Sequence, residues 1–166
     1  AAASTLHFVG SMAARTAGVD LTHVAFRGTT PAILDMIGGQ IAAACAPVGD
    51  FLPFLADGKC RVLATAGAKR SRFVPNVATF QEQGYRDVVL NDWFAFFVSA
   101  KTPPAHVQRL NAAIKSALAT PAVMKALEDR GLEPRWSTSA DMAALLKSNM
   151  AQWAPIVKSF NFSADS

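Results

Sequence analysis

The residues with the clearest chemical potential lie between His23 and Gln40, in HVAFRGTTPAILDMIGGQ. An apolar stretch, Val24 to Phe26, runs into the tight turn Arg27-Gly28-Thr29, and a short helix is expected to follow. Thr30 is placed to cap that helix, and Pro31 suits a first helical position, where a missing N–H removes no hydrogen bond. Gly38-Gly39 is the expected stop. A strand that feeds directly into a helix start aims unpaired amides at the space above a sheet edge, and the helix dipole adds partial positive charge there. With the Thr29 and Thr30 hydroxyls and the Arg27 cation around the same point, the pattern suits a small carboxylate. The same pattern also serves as an ordinary α/β connection, in which Thr30-Pro31 does no more than start a helix.

The elements that must hold this turn follow from the rest of the chain. Its 166 residues suit one domain, or one domain and part of another, and half of them are hydrophobic, enough for a sizeable core. Ser4 or Thr5 can cap a first helix ending near Ala17, with Leu6, Phe8, Val9 and Met12 on its apolar side and Gly18 as its stop. The stretches Thr22 to Phe26, Ile41 to Ala46 and Cys60 to Ala66 read as strands. Between the second and third, Pro47-Val48-Gly49-Asp50 turns into a short helix with Phe51, Leu52, Phe54 and Leu55 inward and Gly58 at its end. Strand and helix alternating at this spacing predict right-handed βαβ units on a parallel sheet. From Gly67 to Asp87 the chain becomes polar, with one short helix expected around Phe80 to Gln83. The apolar segment Val88 to Val98 is long enough to leave one lobe and enter another.

Everything after it is helical in pattern. Helices are expected from Thr102-Pro103 and Thr120-Pro121, the latter closed by Gly131. A Thr138/Asp141 capping box opens a last helix carrying Met142, Leu145, Leu146, Met150, Trp153, Val157 and Phe160, with Pro155 bending it near its end. These helices each need cover, yet almost no strand follows residue 98 to supply it.

Several chemistries find no support. No G-x-S-x-G elbow is present, and Ser4 and His7 lie three apart on a helix without an orienting acid. Neither a Walker A loop nor G-x-G-x-x-G occurs, His7 and His23 lack a third metal ligand at suitable spacing, and no cofactor is implied. Cys45 and Cys60 match no zinc or redox spacing, and buried free thiols are favoured over a disulfide. The net charge of +4 is scattered, with Lys69, Arg70 and Arg72 the one tight group, so nucleic acid is not an expected partner. No apolar run is long enough to span a bilayer and no signal peptide opens the chain.

Taken together, these residues resemble a known family. His23-Val24, Phe26-Arg27-Gly28, Pro31-Ala32, Asp35 and Gly38-Gly39-Gln40 are similar to the HVPYKGxxPAxxDLLGGQ segment of the Bug receptors, the TctC-like periplasmic solute-binding proteins of tripartite tricarboxylate transporters. Gly58 to Ala64 resembles their GKLRALA, Lys69-Arg70-Ser71 their KRS, and Pro75 to Gly84 their PDVPTxxExG. Trp93-Phe94 with Thr102-Pro103 and the late helices, down to Gly131 and Trp153, continue the likeness in order over nearly the whole chain. Two departures stand out: Ala1-Ala2-Ala3 replaces a glycine-rich entry, and Ala25 replaces a proline.

The resemblance implies a clamshell of the periplasmic-binding-protein type II kind, an α/β fold that closes on a ligand without catalysis. Residues 1–92 would be its second lobe, a near-complete parallel-sheet unit. Residues 93–166 would be a crossing strand and the C-terminal helices of a first lobe whose opening half is not in this sequence. Carried over, the ligand contacts are Ser4 and Thr5 at one helix start, Gly28, Thr29 and Thr30 at the second, and Asp50 in a third loop, with Arg27 adding charge or remaining solvated. Asp50 would favour a ligand amine or hydroxyl, or else cap its helix. The implied partners are a small carboxylate or amino acid and the membrane subunits of the transporter, in the periplasm. The rival is a truncated remnant that binds nothing and self-associates, for instance as a homodimer, through exposed helix faces.

Overall fold

The computed structural model describes residues 4–160. The chain divides into two compact units, Ala1–Trp93 and Phe94–Ser166.

In the first unit, helix α1 spans Thr5–Ala17. Its start is set by Ser4, whose hydroxyl accepts the His7 N–H at 3.3 Å, and its end by Gly18 at φ 66°, where any side chain would be strained. Phe8, Val9, Met12 and Ala14 fall at helical spacing and are buried. Helix α2 spans Thr29–Ile37, with Gly28 as N-cap at φ 99°. It therefore opens one residue before the expected cap at Thr30, and Pro31 takes the third helical position. Gly39, at φ 77°, closes it, with the Gln40 N–H donating to the Asp35 carbonyl at 2.8 Å. Ile33 on its inner face is fully buried. Helix α3 spans Val48–Ala56, and Gly58, at φ 66°, follows it. Its apolar residues Phe51, Leu52, Phe54 and Leu55 are half-buried.

The expected parallel sheet is corrected here. Among the described residues no strand ladder forms; one isolated parallel bridge joins Thr65 and Thr79. Residues 21–26, 43–47, 60–64 and 88–99 belong to no regular element. A parallel sheet is stable when both faces are covered, and Leu21, Val24 and Leu63 stay more than half exposed. The run 41–46 is mostly alanine, which offers little area for packing and is disfavoured in strands. What survives of the pairing lies around Thr65, whose N–H donates to the Ala78 carbonyl at 3.3 Å and whose carbonyl accepts the Phe80 N–H at 2.9 Å. Beside it the Leu90 N–H reaches the Ala66 carbonyl at 2.6 Å, and Val88 is buried.

The polar excursion is ordered by reciprocal bonds. The Thr79 N–H donates to Glu82 Oε2 at 2.7 Å, and the Glu82 N–H donates to Thr79 Oγ1 at 3.1 Å. The Arg70 Nε–H reaches both Glu82 oxygens, at 2.9 and 3.0 Å. The Thr79 N–H above all, helped by the Arg70 guanidinium and the Thr79 hydroxyl, holds the Glu82 carboxyl below its ordinary value of 4.5, against the opposing effect of desolvation. Residues 80–84 form hydrogen-bonded turns in place of the expected short helix. Cys45 and Cys60 are free thiols, but Cys45 is exposed and Cys60 half-buried, so neither is the buried thiol the apolar runs predict. No strand is built around residues 43–47 or 60–64 to sheathe them, although burial of the sulfur still pushes the Cys45 thiol up.

In the second unit, α4 spans Pro104–Leu118, α5 Pro121–Glu128 and α6 Ser139–Ser159. The Thr138/Asp141 capping box forms with both backbone bonds present. The Asn111 amide donates to the Ser137 carbonyl at 3.1 Å and its oxygen accepts the Trp136 indole N–H at 3.2 Å, while Lys115 lies 4.3 Å from the Trp136 ring centroid. Every fully buried apolar side chain described belongs to the first unit.

Two outcomes follow. Ile33→Ala should destabilise the first unit by about 2–5 kcal/mol in chemical denaturation, the usual cost of such a cavity. Glu82, with its folded value depressed, stabilises the fold fully above pH 4.5 and loses that contribution as the pH falls below it. Glu82→Gln should therefore lower the melting temperature at neutral pH and flatten its dependence on pH in the acid range.

Candidate functional site

The structure brings the starts of α2 and α3 together, and the link is a single side-chain bond. The Thr29 hydroxyl donates to Asp50 Oδ2 at 2.6 Å across 21 positions of sequence. Thr29 is the first residue of α2, and Asp50 lies in the first turn of α3, where a carboxylate is favoured by the helix dipole. Asp50 makes no side-chain cap to its own helix. Of the two roles open to it from sequence, capping is replaced by this bond to Thr29.

That bond changes what Thr29 offers a ligand. Its only hydroxyl proton points at Asp50, so Thr29 can donate to an anion through its backbone N–H alone. In a helix the first N–H groups lack intrahelical partners. At α2 these belong to Gly28, Thr29 and Thr30, because Pro31 has none. No acidic residue occupies the first turn of α2 itself. Gly28 and Thr30 are exposed, Thr29 is half-buried, and Arg27 is exposed in the bend just before them. The result is a small concentration of donors and positive dipole, open to solvent, with one carboxylate at its flank.

Ser4 and Thr5 sit at the other helix start, and Ser4 serves as the α1 cap. Among the described residues no direct bond links Ser4 or Thr5 to the Thr29–Asp50 pair. Instead His7 in the first turn of α1 stacks on His23, with ring centroids 3.9 Å apart and planes 26° from parallel. His23 lies five residues before Gly28. Burial first, and then the positive charge of His23, hold the His7 imidazole below its ordinary value of 6.5. Neither this contact nor the Thr29–Asp50 bond is visible in the sequence, because the partners lie far apart along the chain and share no motif. Among the described residues no cluster of three or more metal-ligating side chains occurs, and no helix is long and apolar enough to cross a membrane.

With this geometry in place, comparison with known proteins is decisive for the family. Residues 1–162 match the tripartite tricarboxylate transporter family receptor, TctC. The chain belongs to this family. A UPF0065 protein encoded in the clcB-clcD intergenic region of Pseudomonas knackmussii is 30% identical over 93% of this chain and 92% of its own length. The BugT protein of Bordetella pertussis is 28% identical over 93% of this chain, but over only 48% of its own length. Among solved structures, MatC from Rhodopseudomonas palustris with bound malate superposes with a TM-score of 0.82 at 30% identity, covering 93% of this chain and 53% of that one. An R. palustris protein with adipate gives 0.84 at 26% identity, with 93% and 52% covered. The periplasmic binding protein BugD gives 0.83 at 25% identity, with 94% and 53% covered. The chain thus spans about half the length of BugT and of these solved receptors. The TctC-type fold is that of periplasmic binding proteins, and the family is one of solute-binding receptors, not of enzymes.

A test of the link between the two helix starts is direct. Thr29→Val should destabilise the first unit by about 1 kcal/mol, the net worth of a hydrogen bond of this kind, as read from the urea midpoint. Thr29→Ser should retain most of the stability. An unchanged midpoint in Thr29→Val would show that the bond does not hold α2 to α3.

Proposed function

We propose that this chain forms the carboxylate-binding side of a solute receptor for a tripartite tricarboxylate-type transporter and catalyses no reaction. The observation that carries this reading is the convergence of the α2 and α3 starts through Thr29 and Asp50, in a chain of the TctC family. The ligand carboxylate takes the N–H groups of Gly28, Thr29 and Thr30 and the Thr30 hydroxyl, with Arg27 adding long-range attraction and Ser4 and Thr5 contributing from α1. Each neutral bond is worth about 1 kcal/mol, and more with a charged acceptor. Asp50 stands at the edge of the seat and repels a second carboxylate brought close to it. It favours a ligand whose near substituent is a hydroxyl or an amine, with any second carboxylate directed away. The ligand class is accordingly a hydroxy acid, a dicarboxylate long enough to place its far end elsewhere, or an amino acid. Malate and adipate, found in the related structures, are the natural first probes. The working compartment is the periplasm, and the partners are the transporter's membrane subunits.

A second reading rests on a different observation. Phe94, Phe96 and Phe97 are 77%, 82% and 65% exposed, and Met150 is 65% exposed. Apolar surface of that kind marks an association site, so the chain would bind no ligand by itself and would pair with another copy.

Isothermal titration with malate, adipate, aspartate and glutamate separates the two readings, with sedimentation equilibrium on the same sample. The receptor reading expects heat with at least one of the four and about tenfold weaker binding in Gly28→Ala, because φ 99° at Gly28 strains any side chain there. Silence with all four, together with a dimer mass, would favour the second reading.

A further inference from the structure

The site as described leaves one contact unused: the stacked imidazoles of His7 and His23. The pair joins the first turn of α1 to the segment that enters α2. His7 lies in the first turn of α1, and its backbone N–H donates to Ser4 Oγ at 3.3 Å. The Phe8 ring lies beside it at 5.7 Å, and the Phe8 N–H donates to the Ser4 carbonyl at 3.1 Å. His23 lies in the segment that leads through Arg27 to the start of α2. The rings are 3.9 Å apart, so Ser4 and Gly28 are each a few residues from a shared fixed point.

We propose that the His7–His23 stack is a positioning pair, which braces the start of α1 against the entry to α2 while at least one ring is neutral and loosens when both carry a proton. The proposal deepens the receptor reading, since the two helix starts it braces are the ones assigned to the ligand. The electrostatics run in one direction. Burial first, and then the positive charge of His23, disfavour the charged form of His7. Two imidazolium ions at this separation repel more strongly than in bulk water, because the intervening space is partly protein. A proton on each ring at once therefore works against the contact. A histidine whose charged form is disfavoured in the fold stabilises it fully above the ordinary value of 6.5, and that contribution is lost as the pH falls through this range. Ligand affinity should follow the same course.

The decisive variants keep an aromatic face and remove a proton site: His23→Phe and, as a second in case the first does not fold, His7→Phe. The first readout needs no ligand. Between about pH 7.5 and pH 5.5, hydrogen-exchange protection of the Phe8 amide, corrected for the intrinsic rate, should fall about tenfold in the native protein and stay level in the variants. An equal fall in both, or none in the native protein, overturns the proposal. The second readout is calorimetric titration with malate and adipate at the same two pH values. Binding should weaken several-fold on acidification in the native protein and much less in either Phe variant, and equal weakening overturns the proposal. Failure of the native protein to bind either acid at pH 7.5 counts against the receptor reading, and the exchange result then decides the role of the pair alone.

Discussion

One hydrogen bond, Thr29 to Asp50 at 2.6 Å, sets the chemistry of the first unit. It fixes the start of one short helix against the start of another, so two positive dipole ends face a common region instead of diverging into solvent. It also orders the donors. By turning the Thr29 hydroxyl away from any incoming anion, it leaves the grip to backbone amides, which cannot rotate and need no side chain held in place. A seat built from main-chain donors on helix ends tolerates change in the surrounding side chains.

The helices were legible in the sequence because their limits are written locally. Ser4 and Gly18, Thr138 and Asp141, and the glycines at 39, 58 and 131 each act over a turn or less, through a hydroxyl that meets an N–H or a backbone that enters the left-handed region. The start of α2 was displaced by two residues for an equally local reason. Thr30-Pro31 has the form of a cap followed by a first helical proline, but Gly28 at φ 99° turns the chain two residues earlier. The strands were not legible in the same sense. The apolar runs identified at 22–26, 41–46 and 60–66 describe a preference for burial, whereas a strand requires a neighbour about 4.8 Å away along its length. Among the described residues, such a neighbour arrives only around Thr65 and Ala66, from Ala78, Phe80 and Leu90. The sheet lobe that the alternation of runs predicts is therefore present as extended chain without its ladder.

The candidate site divides along the same line. Gly28, Thr29 and Thr30 stand out as candidates because helix-start chemistry is visible from composition and order. Asp50 is legible as a residue but its bond to Thr29 is not, since nothing nearby shows that its partner is 21 positions away. The His7–His23 stack escaped altogether: two histidines sixteen positions apart carry no shared signal, and their contact depends on how α1 and the following segment pack.

The two units differ in what stabilises them, and the difference bears on function. The first has a buried core of Phe8, Val9, Met12, Ile33 and Val88 beneath the helix starts, so its candidate donors stand on a packed foundation. In the second unit the specific contacts are polar and peripheral: the Thr138/Asp141 box, the Asn111–Trp136–Ser137 bonds and the Lys115 cation on the Trp136 ring. Contacts of this sort fix the ends and register of helices but bury little apolar area, and area is what supplies most of the free energy of folding. Leu110, Leu145 and Met150 remain exposed on those same helices. A unit with correct caps and bare apolar faces is ordered locally and gains stability from anything that covers those faces. The buried core described here therefore underlies the candidate donors of the first unit, while the described helices of the second carry exposed apolar residues.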